Sequence, residues 1–316
     1  MAAPHTVAFD LMALLDAPGV GPSRVRKLLK RCEPTGGAGL TDRTFLRESL
    51  TETQIAALPA SREKMERQWE ELSFKGIHAL SIADAAYPAG LRALLGDDSP
   101  VVLLCQGELS LLNRPGVGFC GSREATAKGI ATAHDTAGLL AGEGINVVSG
   151  YAAGVDMNAH CAALAAGGTT TVVLAEGILR FRVKKEIREL WDPLRTLVVS
   201  EFGANLPWSV SHAMTRNRTI CGLSRAMVLI EARATGGSIQ AGRDCLRLGL
   251  PLFAAVYEGM PESAVGNEQL LLDGGRPLMK SRSTGLPNVS AILQAIRTGP
   301  VTAPGREASQ QLGLHG

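Results

Sequence analysis

Between residues 101 and 256 the chain repeats one pattern: a short apolar run, a loop of small residues, and a segment of helical periodicity. The runs are Val101–Cys105, Val117–Cys120, Ile145–Ser149, Thr170–Leu174, Leu197–Ser200, Ala226–Ile230 and Leu252–Val256. Runs this short, rich in Val and Leu and spaced by helices, are the mark of strands buried on both faces of a parallel sheet. The expected fold is therefore α/β: a doubly wound, mostly parallel, Rossmann-like sheet.

The flanks read differently. Residues 1–78 carry short helical patterns at Arg24–Arg31, Thr41–Leu50 and Ser61–Leu72, with Ser23 placed to cap the first. Pro18-Gly19-Val20-Gly21 ahead of Arg24, Arg26, Lys27, Lys30 and Arg31 is like a helix-hairpin-helix, whose turn amides hold a duplex phosphate. A solvated basic helix explains the same residues equally well. The sheet domain is expected over 79–280. Beyond it, 281–316 is expected to be a tail with one short helix near Val289–Arg297. From Thr298 onward its Pro, Gly, Ser and Gln content predicts flexibility, and its length leaves no room for a winged-helix domain.

At 45% hydrophobic residues the 316-residue chain can bury a large core. Its 36 glycines have no fixed period, which points to tight turns rather than to collagen or disorder. Aromatic residues are only 4%, which argues against a protein that grips single strands mainly by stacking bases. A net charge of +2 excludes a polybasic protein but leaves room for a local basic cleft. The six cysteines (32, 105, 120, 161, 221, 245) form no Cys-x-x-Cys pair, so reduced, mostly buried thiols are expected rather than zinc or disulfides. The N-terminus lacks the signature of a signal peptide, and no apolar run reaches the roughly 18 residues of a membrane span. A soluble, cytoplasmic protein without membrane partner is expected.

Ligands of an open parallel sheet bind at the carboxyl ends of its strands. Three small-residue loops leave strands there and enter helices: Gly121-Ser122-Arg123; Ser149-Gly150 through Gly154-Val155-Asp156; and Glu231 through Gly236-Gly237-Ser238. Glycine permits close backbone approach, and free N–H groups with the helix dipole favour an anion. Arg123, Arg216 and Arg218, with Asn217 between the last two, add fork-shaped donors suited to phosphate. Asp156 is placed to cap its helix and fix the 149–154 loop. The dense cluster Arg180, Arg182, Lys184, Lys185 and Arg188 either lines the same channel or is a solvated face. Gly116 to Gly121 fits G-x-G-x-x-G, but its glycines lie in the strand rather than after it, so a dinucleotide is not expected. His134, His160 and His212 lack metal-ligand spacing and are expected to be satisfied or surface histidines. No Gly-x-Ser-x-Gly elbow supplies a nucleophile. Neither metal nor cofactor is expected.

In order along the chain stand Tyr87-Pro88, Leu91, Pro100, Gly107, Gly121-Ser122-Arg123 and Gly129. They are followed by Ser149-Gly150-x-Ala152-x-Gly154-Val155-Asp156, Ala159-His160 and Gly168-Thr169. The series ends with Arg216-Asn217-Arg218, Gly222-Leu223-Ser224, Glu231-Ala232, Gly237-Ser238, Gly266-Asn267 and Gly274-Gly275. This co-linear set, over roughly 80–280, resembles the DNA-processing protein A (DprA, or Smf) family. The resemblance implies a non-catalytic homodimer that binds single-stranded DNA and loads RecA on it during natural transformation or homologous recombination. It implies phosphate contacts by Arg123 and by Lys184, and a pocket shaped by Arg216, Asn217 and Arg218. It also implies an N-terminal helical domain of the sterile-alpha-motif type. The chain departs from the family at Arg182-Val183, where relatives have Tyr-Pro, at Gln240 in place of threonine, and at Tyr151 in place of a small residue.

An alternative on the same fold is a nucleotide sensor, or a LOG-like hydrolase that releases a base from a nucleoside monophosphate. Those enzymes use Pro-Gly-Gly-x-Gly-Thr-x-x-Glu, and Thr235-Gly236-Gly237-Ser238 keeps two of its glycines without the glutamate.

Overall fold

The computed structural model describes residues 6–32, 40 and 42–298. A nine-stranded sheet organises them: β1 (Ile77–Ser81), β2 (Val102–Gly107), β3 (Gly116–Cys120), β4 (Asn146–Ser149), β5 (Thr170–Val173), β6 (Thr196–Ser200), β7 (Ala226–Leu229), β8 (Leu252–Ala255) and β9 (Arg276–Leu278). The order across the sheet is β1-β2-β6-β5-β4-β3-β7-β8-β9. Pairing is parallel from β6 through β9, while β1–β2 and β2–β6 are antiparallel. All seven expected strands are present, and the doubly wound, mostly parallel class is the one observed. The two unforeseen strands are the edges: β1 is half exposed along its length, and β9 is a three-residue strand centred on Pro277. Proline is tolerated at such an edge because no further strand needs its missing N–H.

Eleven α-helices are described: α1 (Val7–Asp16), α2 (Pro22–Cys32), α3 (Arg43–Arg47), α4 (Glu52–Phe74), α5 (Ala89–Leu95), α6 (Ala127–Gly142), α7 (Val155–Ala165), α8 (Val210–Gly222), α9 (Gly237–Arg247), α10 (Val265–Leu272) and α11 (Ser290–Thr298). Helices α6, α7 and α11 cover one face of the sheet over Val117, Phe119, Val147, Val228 and Phe253. On the other face α5, α8, α9 and α10 lie over Cys120, Val148, Val173, Met227 and Leu229. The register through Val147, Thr170, Val172 and Val198 puts the α1–α4 group on the same face as α6 and α7, further along the sheet.

Two local differences from the sequence reading have clear causes. Pro22, not Ser23, opens α2, since a first-turn proline loses no intrahelical bond. Helix α4 starts nine residues before Ser61 and runs through Pro59, because Thr51 and Gln54 form a reciprocal capping box that fixes its start. Helix α11 lies past residue 280, yet it packs Ile292, Ala295 and Ile296 into the sheet's core. Of the segment expected to be flexible from Thr298 onward, Thr298 closes α11 and residues 299–316 lie outside the described residues.

The basic helix α2 faces its own protein. Arg26 donates to Ser99 O (2.7 Å), Arg24 to Gln54 (3.0 Å), Lys30 pairs with Asp97, and Arg31 pairs with Glu48.

One buried side chain ties the far half of the sheet to the carboxyl edge. Asn267, fully buried at the start of α10, accepts from Ala232 N (2.9 Å) and donates to Ile230 O (2.8 Å) and Ala255 O (2.9 Å). It therefore satisfies the chain just past β7 and the end of β8 at once. Asn267→Leu fills the space but takes their side-chain partner from Ala232 N and Ala255 O, while Ile230 O keeps the Tyr257 hydroxyl (3.3 Å), at about 1–3 kcal/mol for each group left unsatisfied. The expected result is a fall in Tm of several degrees without loss of secondary structure by circular dichroism.

Candidate nucleic-acid interface

Strand order reverses at β3, which has β4 on one side and β7 on the other. The loops after these three strands therefore converge at one place, which is where such sheets bind ligands. A cavity of about 490 Å³ opens there, lined by Gly121, Ser122, Arg123, Asp156, Trp208, Arg216, Asn217, Gly236, Gly237 and Ser238 among others. A neighbouring cavity of about 340 Å³ shares Arg123, Ala152, Trp208 and Arg216 with it and adds Tyr151 and Lys184. Together they form one groove along the carboxyl edge.

Backbone packs on backbone between the first two loops. Val155 N donates to Ser122 O (3.3 Å), and Gly154 holds φ at +77° with no room for a side chain: a Cβ would stand 2.6 Å from the Arg123 carbonyl. Gly154 is the residue that caps α7. Asp156, expected as the cap, is instead the second residue of the helix, and its carboxylate accepts from Ala152 N (3.4 Å) within the loop. Burial raises the pKa of Asp156, against the opposing effects of Arg216, the Ala152 N–H, the Ser149 hydroxyl and Arg123.

Arg216 is the centre of the site. Only 7% exposed, it lies over Gly150, where any Cβ would overlap the guanidinium, and it lines both cavities. Its Nε has no hydrogen-bond partner, and no described residue forms an ion pair with it within 4.0 Å. Burial lowers its pKa, while Asp156 and Glu201 act in the opposite sense. A guanidinium stays charged even so. A largely buried cation that lines two open cavities, with a donor unpaired and no carboxylate in contact, is a standing site for an anion.

The expected site residues do not all meet. Gly121, Ser122, Arg123, Arg216, Asn217, Gly236, Gly237 and Ser238 line the larger cavity, and Lys184 the smaller. Ser149 does not reach either: fully buried, it donates its hydroxyl to Phe119 O (2.8 Å). Gly150 acts from beneath Arg216. Arg218 is turned away and bridges Asp98 Oδ2 (2.8 Å). The cause is that residues 216–218 lie inside α8, where two positions subtend a little over half a turn. Lys184 is held without the family's Tyr-Pro. Its backbone N donates to the Tyr151 hydroxyl (3.0 Å), its ammonium donates to Tyr151 O, and that ammonium lies 4.5 Å from the Tyr151 ring. Of the other cations in that cluster, Arg180 and Arg182 bond backbone carbonyls at Asn205, Leu179 and Phe181. Trp208 escaped the sequence reading; an aromatic residue in the short stretch Asn205–Ser211, which carries Pro207 and two serines, was its one signal.

Most carboxylates at the groove are already engaged. Glu231 accepts from Thr126 N (3.0 Å), Thr126 Oγ1 (2.5 Å) and Ser263 Oγ (2.9 Å), and Glu124 pairs with Arg233 (3.1 Å). No group of three or more His, Cys, Asp or Glu among the described residues is placed to hold a metal. No helix among them is long and apolar enough to cross a membrane.

Fold and groove define a Rossmann-like protein with cations gathered at the carboxyl edge of its sheet. A family model described as DNA recombination-mediator protein A matches residues 78–285. The DNA processing protein DprA of Streptococcus pneumoniae (strain ATCC BAA-255 / R6) is 33% identical over 208 residues, covering 64% of this chain and 71% of the relative. The X-ray structure of DprA from Streptococcus pneumoniae aligns with a TM-score of 0.70 at 27% identity, covering 86% of this chain and 94% of that one. A structure of Helicobacter pylori DNA processing protein A, described for its single-stranded DNA binding mode, aligns with a TM-score of 0.55 at 26% identity, covering 70% and 94%. The chain belongs to the DNA recombination-mediator protein A family.

His160 supports the site from below. Fully buried, its Nε2 lies 2.5 Å from Gly150 O and its Nδ1 2.6 Å from Thr170 Oγ1. Desolvation holds its pKa at about 4, so the ring is neutral at pH 7: Nε2–H donates to Gly150 O, and Nδ1 faces Thr170 Oγ1, whose single hydroxyl hydrogen is shared between that nitrogen and Val147 O (2.8 Å). With the folded pKa below the unfolded 6.5, His160 favours the folded state above pH 6.5. That advantage, about 3 kcal/mol when complete, is lost as pH falls from 6.5 towards 4. Asp156 and Glu201, whose pKa values are raised, oppose this trend, so the measurement is a difference. The wild type is expected to lose more Tm than His160→Gln between pH 6.5 and 4.5, with the two curves parallel above pH 7.

Proposed function

We propose that this protein binds single-stranded DNA by its phosphates along the carboxyl-edge groove and hands the strand to RecA. The observation that carries the reading is Arg216, a buried guanidinium with an unspent donor, flanked in the same pair of cavities by Arg123 and Lys184. Three cations along an open groove suit successive phosphates of a strand better than one compact ligand. The amide end of α9 at Gly236–Ser238 adds backbone donors on the same side.

The role is that of a non-catalytic mediator, acting as a cytoplasmic homodimer in natural transformation or another recombination route. The Helicobacter pylori relative, described for single-stranded DNA binding, supports the ligand class. The second reading, a mononucleotide sensor, rests on the Gly236–Ser238 amides alone. Thermal shift with a nucleoside monophosphate against a short oligonucleotide separates the two, because a specific ligand raises Tm.

Binding followed by anisotropy across a salt series tests the groove. Arg123→Ala and Lys184→Ala are each expected to weaken binding to all sequences about equally and to flatten the slope of log K against log salt by about 0.7 per phosphate lost. Arg218→Ala is expected to leave the slope unchanged, since that side chain is spent on Asp98. RecA assembly on the oligonucleotide should follow the same order. If Arg123→Ala and Lys184→Ala both match wild type in affinity and slope, the groove is wrongly assigned.

A further inference from the structure

We infer that Trp208 is a base-stacking platform, so that the groove holds a nucleobase as well as phosphates; this rests on the reading of the groove as a single-strand site. Two aromatic side chains line the smaller cavity, Tyr151 and Trp208, and they are in different states. The Tyr151 ring is engaged: the Lys184 ammonium lies 4.5 Å from its centroid, Phe181 packs at 5.3 Å, and its hydroxyl accepts from Lys184 N. Its environment explains its presence without any ligand.

Trp208 is different. It lies in the loop between β6 and α8, lines both cavities, and remains 46% exposed. Its ring neighbour is the Arg123 guanidinium, 5.5 Å from the ring centroid. Burying a tryptophan is strongly favourable, and an indole left half open beside a cation at the mouth of two cavities has surface to offer a ligand. Indole and guanidinium planes are the two surfaces on which unstacked bases are received, and a phosphate held by Arg123 carries its own base within a nucleotide's reach. The shared position of Trp208 places that base where the cavities join.

Such a platform adds affinity without adding charge, and this gives it a signature that a phosphate contact lacks. The test uses a thymidine oligonucleotide and a strand of equal length built from abasic sugar-phosphate units, with wild type, Trp208→Phe, Trp208→Ala and Arg123→Ala. Trp208→Ala is expected to bind the thymidine strand about tenfold more weakly, with its salt slope unchanged. On the abasic strand it should match wild type. Trp208→Phe should recover most of the affinity while abolishing the fluorescence quenching that accompanies binding, since Trp69 and Trp191 remain as unquenched controls. Arg123→Ala should weaken both strands and flatten the slope.

Equal binding of the thymidine strand by wild type and Trp208→Ala overturns the platform. So does an equal loss on both strands, which marks Trp208 as merely structural, and so does quenching that persists in Trp208→Phe. In each of those outcomes wild type still binds DNA and the phosphate reading stands. If wild type binds neither strand, it is the phosphate reading that fails, and the platform falls with it.

Discussion

The groove depends on one guanidinium kept out of water without a hydrogen-bonding partner at its Nε. Removing a charge from solvent is costly unless it is paired and bonded, and Arg216 is only half provided for. Asp156 and Glu201 oppose the effect of burial on it from nearby. Each carboxyl accepts a bond elsewhere, Asp156 from Ala152 N and Glu201 from the Thr219 hydroxyl, and neither comes within 4.0 Å of the guanidinium to complete its hydrogen bonding. What remains is a preference for an oxyanion entering from the cavity.

That arrangement reaches down through the sheet. Arg216 can lie where it does only because residue 150 has no side chain, and the Gly150 carbonyl is held by a neutral His160 anchored to Thr170 on the neighbouring strand. A protonated imidazole would place a second buried cation beneath the first. The low pKa of His160 is thus part of the site's electrostatics, although the ring touches neither cavity. Gly154 closes the design from the side by letting the β3 and β4 loops touch backbone to backbone, which fixes where Ser122 and Arg123 project.

The central strands were legible because burial on both faces forces a continuous apolar run, and the converging loops followed from where parallel strands end. The edges β1 and β9 carried no such run: one face or one end of each meets solvent. The pairing of Arg216 with Arg218 in a single pocket came from their proximity in sequence and from the family resemblance. Helix α8, which was not assigned from the sequence, turns the two to different sides and sends Arg218 to Asp98. The support of Lys184 by Tyr151 joins residues 33 apart in sequence through a ring and a hydroxyl, and composition gives no sign of it. Asp156 shows the same limit on a smaller scale: its place near a helix start was legible, but which backbone N–H it serves was not.

Counting charges around the groove misjudges its free donors for a related reason. The larger cavity is lined by Arg123, Arg216 and Arg233 against Glu124, Asp156 and Glu231, which reads as neutral. Glu231 is held by Thr126 and Ser263, Glu124 and Arg233 neutralise one another at the rim, and Asp156 is tied to its loop. Arg123 and Arg216 are left facing the cavity, with Lys184 beyond them. On α2 the reverse holds: a helix dense in arginine and lysine has most of its cations engaged by Gln54, Ser99, Asp97 and Glu48. Donors free to take an anion in this molecule therefore do not follow the density of basic residues, and the carboxyl edge is where they gather.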